Sequence, residues 1–563
     1  AESSGRVMHL KEVSNVIIEN CSMTNNIASN HGGAVSIDEG NDVRIISSLF
    51  SDNFADSDSG ALYFDEDGID YLVHNCTFIS NIGDYGGAIS IIEDNDYVTV
   101  SHSTFIGNQA RYDGGAVFIN YNNYYLSFIS CDFQENHANS GGAVTLFNWN
   151  YYIDFTECEF QRNFAEFGGA IEDNNDDKDV TLQSNLFIGN YAIYDGGAVN
   201  MFSGCDRWTL DNNTFRENSA ENGGAVGLGS LSNDVIFSNN LFVNNSVSNL
   251  GGALSMKNQN PGVLLQGNIF HQNKAKQGGG IFFSTTNDDV TVEECTFSEN
   301  FAVNFGGAIT FAQSHSGFSL VNSVFISNNA TTSGGAIYFG FSIVESSVTG
   351  CLFQNNRVED YGGGAIAMAS FNDITVLDSV FEHNAAYFGG ALFTLLKAKN
   401  FQLVNSSVMN NDAMYGGGLY IGVISENVMI SFVEILRNKA TLDGGGIYVD
   451  VDSKLQVIGC NVGSNIAGAR GGGLHYDSNE LTVLSSMFSN NSAGISGGAM
   501  YVLGDDILIS NGTAMVGNIA HGAGGGALYL EGSEGVALQN TAFNDNVASD
   551  NGGACVVVDV YNL

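Results

Sequence analysis

The chain has 563 residues, of which 61 are acidic and 18 are basic, and its formal net charge is −43. This excess of negative charge excludes nucleic acid and anionic membrane surfaces as good partners. We also predict no membrane insertion, because no apolar run approaches the roughly 18 to 20 residues of a membrane-spanning helix.

A short phrase recurs along the whole chain, and "NIGDYGGAISI" at 81–91 is one copy of it. Its Gly-Gly step, which is Ser-Gly in one copy, is found 20 times from Gly32 to Gly552, at intervals of 26 to 29 residues. An Asn precedes every copy, from Asn26 to Asn546, and 15 of the 20 copies carry Phe three residues before that Asn. One unit is therefore copied, which is typical of a repeat protein.

Each repeat is predicted to consist of short β-strands. In chain order, "AISII" at 88–92, "YVTVSHSTF" at 97–105 and "GGAVTLF" at 141–147 have an apolar period of two and are separated by Gly, Asn and Asp. Three strands of about five residues and three corners add up to about 27 residues, the length of one coil of a parallel β-helix. We therefore predict an all-β solenoid of about 20 coils, three short strands per coil, in one domain over residues 1–563.

Variable corners follow the Gly-Gly-Ala strands, and the first group of them is acidic. Stacked coils are expected to bring together the carboxylates Asp65, Asp67, Glu93, Asp94 and Asp96. Carboxylate oxygens at this density are suitable ligands for Ca²⁺, the one cofactor that we predict. The alternative is a solvated anionic edge that keeps the protein soluble.

The repeated Phe and Asn positions are predicted to be internal ladders. Equivalent residues of successive coils lie above one another at the strand spacing, so that inward rings stack and inward amides bond from coil to coil. The structural ladder residues that we single out are Phe78, Phe105 and Phe133, with Asn81, Asn108 and Asn136. The Gly-Gly pair permits positive φ or close backbone approach at a corner.

A second group of variable corners is aromatic. It includes "YNNYY" at 121–125 and "NWNYY" at 148–152, which lie one coil apart. Since neighbours in a strand alternate, some of these rings face outward and offer a surface for glycan stacking or for lateral contact with another chain. The predicted contact residues are Tyr121, Tyr124, Tyr125, Trp149, Tyr151, Tyr152 and Trp208.

Cysteines and sequons also follow the repeat. Seven of the nine cysteines lie five residues before the ladder Asn and are predicted to be buried thiols; only Cys131 and Cys158 fall in adjacent coils, and their pairing stays open. Four N-x-S/T sequons share one outward position, and in a eukaryotic source they are candidate glycosylation sites. These are Asn20, Asn75, Asn212 and Asn405.

The two motifs together resemble a known family. The phrases "CEFQRNFAEFGGAI" at 158–171 and "CTFSENFAVNFGGAI" at 295–309 are similar to the repeats of the chlamydial polymorphic outer membrane proteins (Pmp), and the resemblance covers nearly the whole chain. It implies a right-handed parallel β-helix, a passenger presented at the cell surface as an extracellular adhesin that often self-associates. The sequence departs from the family because no autotransporter barrel is expected after residue 563.

We predict no catalytic residues and expect that the chain is not an enzyme. The repeat spacing leaves no coil a long loop, and the basic residues are scattered. The alternatives are a carbohydrate-active β-helix enzyme, such as a polysaccharide lyase or hydrolase, and a glycan-binding adhesin that does not assemble.

The preferred function is a structural or adhesive surface protein, rod-like and self-assembling into filaments or appendages. Neither end shows a capping segment, so we expect either a fragment of a longer array or head-to-tail stacking of identical chains. The expected partners are the chain itself, through head-to-tail or lateral contacts, and host or matrix glycans or surface proteins.

Overall fold

The computed structural model describes residues 8–560, and all regular secondary structure in that range is β-strand. Within it, no helix is long and apolar enough to cross a membrane. The chain divides into two compact units. Unit 1 comprises Ala1–Lys276 and Gly280–Asn287, and unit 2 comprises Gln277–Gly279 and Asp288–Leu563. The prediction of one domain over 1–563 stays a prediction.

Every turn of each unit contains the same strands in the same order. The first strand follows the Gly-Gly step, the second follows a corner, and the third carries the repeated Phe or its replacement. In unit 1, one turn consists of Leu62–Glu66, Ile69–His74, Thr77–Ile79 and a short fourth strand, Ile82–Tyr85. In unit 2, one turn consists of Leu474–Asp477, Leu481–Leu484, Met487–Ser489 and Ser492–Ala493.

Equivalent strands of successive turns pair in parallel and build three sheets in each unit, here called the GGA sheet, the second sheet and the Phe sheet. The prediction of a parallel β-solenoid with three strands per coil is thereby confirmed, with about ten turns in each unit. The sequence did not predict the fourth strand, which forms only interrupted sheets after the ladder Asn. Its segment lies over the Gly-Gly step, where a Cβ on Gly87 would be 2.6 Å from the backbone nitrogen of Gln109.

The predicted ladders are present inside unit 1. The rings of Phe78, Phe105 and Phe133 are fully buried and stack at 4.8 Å and 4.7 Å between centroids, within 5° of parallel. The Asn81 side chain donates to Asn108 Oδ1 at 2.9 Å and to the Phe50 carbonyl at 3.0 Å. Each ladder Asn therefore bonds both to the preceding turn and to the next one.

Two further polar ladders lie at the other corners. At the corner between the GGA sheet and the second sheet, the Asn95 backbone N–H donates to Asn123 Oδ1 at 3.0 Å. The Asn123 side-chain amide in turn donates to Asn150 Oδ1 at 3.0 Å. At the corner before the Phe sheet, Asn185 Nδ2 donates to Asn213 Oδ1 at 3.1 Å. All three corners of a turn are thus held by side chains that replace missing backbone hydrogen bonds.

The cysteines are free thiols throughout, seven of them buried and Cys21 and Cys555 half-buried. Cys131 and Cys158 are neighbours without a disulfide, and the Cys131 N–H donates to Cys158 Sγ at 3.4 Å. Burial raises the pKa of Cys158 well above its usual value. The prediction that most cysteines act as small apolar residues is confirmed.

Candidate functional site: an exposed aromatic ladder

Three tyrosines form a stack on the surface of unit 1. Tyr97, Tyr125 and Tyr152 are each the second residue of a strand of the second sheet, and the strands are Asp96–Ser101, Tyr124–Ile129 and Tyr151–Thr156. Their ring centroids are 5.0 Å apart at both steps, with interplanar angles of 5° and 6°. The side chains remain 54%, 46% and 45% exposed. We call this row the aromatic ladder.

The backbone of the aromatic ladder is strained. All three tyrosines have φ of +59°, in the left-handed region. The same register holds Asp70 in the preceding turn and Asp179 in the following turn, and Asp tolerates this conformation. A bulky residue there costs on the order of 1–2 kcal/mol. The left-handed conformation itself recurs at this corner from turn to turn, and what distinguishes these three turns is the bulky ring that occupies it.

More aromatic residues surround the ladder. Trp149 is 56% exposed and also has a left-handed backbone, with φ of +54°. Half-buried Tyr124 and Tyr151 stack at 5.3 Å with an interplanar angle of 8°. Tyr121 is half-buried at the end of its GGA-sheet strand, and hydrogen bonding to Glu93 raises its pKa. Six of the seven predicted contact residues therefore share one corner of the unit.

The prediction for Trp208 is wrong. Its side chain is fully buried, and its indole Nε1 has no hydrogen-bond partner in the protein. Thr209 pairs with Thr181, which places Trp208 beside the inward Val180, so the indole fills the core. The exposed neighbour at this corner is Arg207.

Charged groups border the ladder. Arg207 donates to Asp179 through Nε at 2.7 Å and Nη2 at 2.6 Å, and these bonds lower the pKa of Asp179. At the other end, Asp94 accepts a hydrogen bond from Asn122, and burial raises the pKa of Asp96. Because Arg207 is already paired, the charge left around the rings is negative.

The predicted calcium ligands lie in the turns around Tyr97, the first tyrosine of the aromatic ladder. Burial raises the pKa of Asp65, whose Oδ1 accepts from the Tyr63 hydroxyl at 3.2 Å. Nowhere in residues 8–560 does the structure group three His, Cys, Asp or Glu side chains so that they could hold a metal ion. The five carboxylates, Asp65, Asp67, Glu93, Asp94 and Asp96, are thus not gathered into one site, and calcium binding stays a prediction.

Behind the ladder, the core contains acidic side chains. Asp173 and Asp177 are completely buried, and burial raises the pKa of both carboxyl groups. Asp177 Oδ1 accepts from the Asn150 backbone N–H at 2.5 Å, as an Asn side chain does at the same corner between the GGA sheet and the second sheet in other turns. Glu172 is also buried, with a raised pKa, and accepts from Asn200 Nδ2 at 2.9 Å. This buried cluster was not predicted, although "IEDNND" at 171–176 places an acidic residue at an apolar position of the repeat.

The four candidate glycosylation sites are all on the surface. Asn20, Asn75, Asn212 and Asn405 are exposed and have a left-handed backbone. Two of them donate to a Ser hydroxyl of the preceding turn, Asn75 to Ser47 at 3.0 Å and Asn212 to Ser184 at 3.1 Å. Their glycosylation stays a prediction.

These features define a parallel β-helix that carries an exposed aromatic surface. The chain belongs to the family described as right handed beta helix region, whose model matches residues 203–349 and 339–514. No curated protein sequence matches the chain significantly. The right-handed fold is therefore shown, whereas membership of the chlamydial Pmp family stays a prediction.

Solved structures with a similar fold have different functions. PfbA, a surface adhesin of Streptococcus pneumoniae, is 12% identical with a TM-score of 0.30, over 76% of this chain and 85% of PfbA. The PL6 family alginate lyase AlyGC is 10% identical with a TM-score of 0.19, over 99% of this chain and 96% of the enzyme. A variant of AlyGC is 11% identical with a TM-score of 0.21, over 97% of both chains. These likenesses show the fold alone.

The comparison corrects one conclusion drawn from the sequence, that the chain is not an enzyme. Alginate lyases are among the solved structures that match it. An enzymatic role is therefore possible.

Proposed function

We propose that the chain is an extracellular adhesive surface protein that binds neutral polysaccharide through the aromatic ladder of unit 1. The observation that carries the proposal is the row of exposed tyrosines, Tyr97, Tyr125 and Tyr152, in a backbone conformation that Asp occupies in neighbouring turns. A side chain that only had to solvate this corner would be Asp or Asn.

Tyrosine has an apolar ring and a polar hydroxyl, and sugar rings likewise have apolar C–H faces and polar edges. The ladder repeats this contact every 5.0 Å over three turns. Because the rings stack face to face, the row exposes ring edges and hydroxyl groups, and an extended polysaccharide that lies along it would meet a new ring edge with each successive sugar. The nearby carboxylates Asp94 and Asp96 and the net charge of −43 favour a neutral glycan over an anionic one.

The same surface also suits contact with a second copy of the chain, because Trp149 and the tyrosines expose apolar area. Sedimentation velocity distinguishes the two uses. A monomer that binds polysaccharide supports adhesion, whereas an oligomer that dissociates when the ladder is changed supports self-association instead.

We expect Tyr125→Asn to weaken polysaccharide binding about tenfold, which corresponds to about 1.4 kcal/mol for one lost ring contact. The protein's stability should change little. Relief of left-handed strain gains about 1–2 kcal/mol, and loss of two ring stacks costs a similar amount. Retention on insoluble cellulose and chitin, with alginate as the anionic comparison, measures binding, and thermal unfolding measures stability.

Tyr194→Asn is the matched control, since Tyr194 is 42% exposed in unit 1 and lies outside the ladder. It should bind like the unchanged protein. Equal retention of Tyr125→Asn and the control would contradict a role for the ladder, and stronger retention on alginate than on cellulose would contradict the preference for neutral glycans.

A further inference from the structure

Unit 2 carries a different aromatic column, on the outer side of the GGA sheet. Its members are the fourth residues after the first Gly of eight successive repeats, and the same position is Thr310 in the repeat before them and Val556 in the repeat after them. In register from turn to turn these are Tyr338, Ala367, Phe393, Tyr420, Tyr448, His475, Tyr501 and Tyr529. The rings stack at 4.9 Å between Tyr420 and Tyr448 and at 4.7 Å between Tyr448 and His475. Ala367 is the one residue of these eight without a ring.

A cavity of about 170 Å³ lies at this missing ring. Phe305, Tyr338, Tyr361, Phe393 and Leu395 are among its lining residues, with Ala367 at its floor. Phe305 stacks on Tyr338 at 4.5 Å, and Tyr361 meets Phe393 edge-on at 5.3 Å. The cavity is therefore walled by aromatic rings on opposite sides.

The size and shape of the cavity select a ligand. Tyr338 and Phe393 are two turns apart, roughly 10 Å along the strand-pairing direction. Elsewhere in the column successive rings are about 5 Å apart, so the gap between these two has room for one ring. An apolar cavity of about 150 Å³ stays dry and binds benzene. The lining contains no charged residue, and Thr332 and Ser333 add hydroxyl groups at one side.

We propose that this cavity is a binding slot for one flat, uncharged aromatic ring, which restores the stack that Ala367 interrupts. The ring would lie between Tyr338 and Phe393, as the other rings of the column lie between their neighbours. Half-exposed Tyr361, which lines the cavity edge-on to Phe393 and is followed by three glycines, would have to move when the ring enters.

Fluorobenzene tests the slot directly, with ¹⁹F NMR line broadening on the full chain as the readout. We expect saturable broadening and a rise in Tm of roughly 1–2 °C at ten times the Kd. Fluorocyclohexane, which is equally apolar but thicker, should give neither effect. Equal binding of both compounds, or of neither, overturns the proposal.

Ala367→Phe supplies the missing ring and should abolish fluorobenzene binding while the protein stays folded. Thr482→Phe adds a ring on the second sheet of the same unit and should leave binding unchanged. If Ala367→Phe does not fold, Ala367→Leu fills the same space without a flat ring and should also block the probe. Binding that survives in a folded Ala367 variant places the ligand elsewhere and overturns the assignment.

Discussion

Replacing Asn136 with Ala is expected to lower the free energy of unfolding by about 4 kcal/mol. The Asn136 amide donates to the Phe105 carbonyl and to Asn163 Oδ1, each at 3.0 Å. Its Oδ1 accepts from the backbone N–H of Asn108 at 2.9 Å and from that residue's side-chain amide at 3.0 Å. The variant leaves at least two buried backbone groups without partners, and each costs about 1–3 kcal/mol.

Urea denaturation followed by far-UV circular dichroism measures this change. Asn139→Ala is the control, because Asn139 is exposed in the same turn and its backbone carbonyl bonds are kept. The control should change stability by less than about 0.5 kcal/mol. A loss of under about 1 kcal/mol for Asn136→Ala would show that the ladder amides are not what holds the turns together.

The repeat made the interior of this protein predictable. A column such as Phe78, Phe105 and Phe133 is visible in the sequence because each turn must fill the same space as its neighbours. The Asn ladder is visible for the same reason. The other two polar ladders were missed because Asn, Ser and Cys alternate there, as in Ser103, Cys131 and Asn185, and only the shared geometry unites them.

The corners were less predictable because strand alternation does not extend through them. Tyr125 and Tyr152 face outward in regular strands, as expected. Trp208 follows a corner without a regular strand before Thr209, and it stands in register with inward Val180, whereas Arg207 occupies the register of the ladder. The outer column of unit 2 did have a signal, the aromatic residue in "GGAIY", "GGALF" and "GGGLY", but it was overlooked beside the Gly-Gly step.

We expect function where the repeat departs from its own pattern. Tyr97, Tyr125 and Tyr152 replace Asp at a left-handed corner, Ala367 replaces an aromatic ring, and Asp173 replaces an apolar core residue. The first departure costs backbone strain, the second costs packing, and the third costs desolvation of a carboxyl group. Each therefore predicts a measurable change when the usual residue is restored.

The buried carboxyl group of Asp173, at a core position that is apolar in neighbouring turns, makes the stability of the protein depend on pH. Asp173 stands in register with Leu146 and Met201, and burial raises its pKa to about 7. In the unfolded chain its pKa is about 4. The folded state therefore favours the protonated carboxyl, and the stability present below about pH 4 is lost as the pH rises through about 7. Because Asp173 and Asp177 titrate as a pair, the stability lost by pH 8 belongs to both carboxyl groups and is on the order of a few kcal/mol.

We expect Asp173→Asn to remove this loss, so that the variant gains stability relative to the unchanged protein as the pH rises from about 5 to about 8. Urea denaturation at several pH values measures the difference between the two proteins. Because the charge of Asp173 raises the pKa of neighbouring Asp177, the difference between the two proteins reports the titration of this carboxyl pair and not of Asp173 alone.

Asp179→Asn is the matched control, because the pKa of Asp179 is lowered in the folded protein whereas that of Asp173 is raised. The bond from Arg207 lowers the pKa of Asp179, so its contribution is present above about pH 4 and is lost only as the pH falls further. Its difference from the unchanged protein should be constant between about pH 5 and pH 8. If Asp173→Asn gives an equally flat difference, the buried carboxyl is ionised in the folded state at neutral pH, and another group must supply its counter-charge.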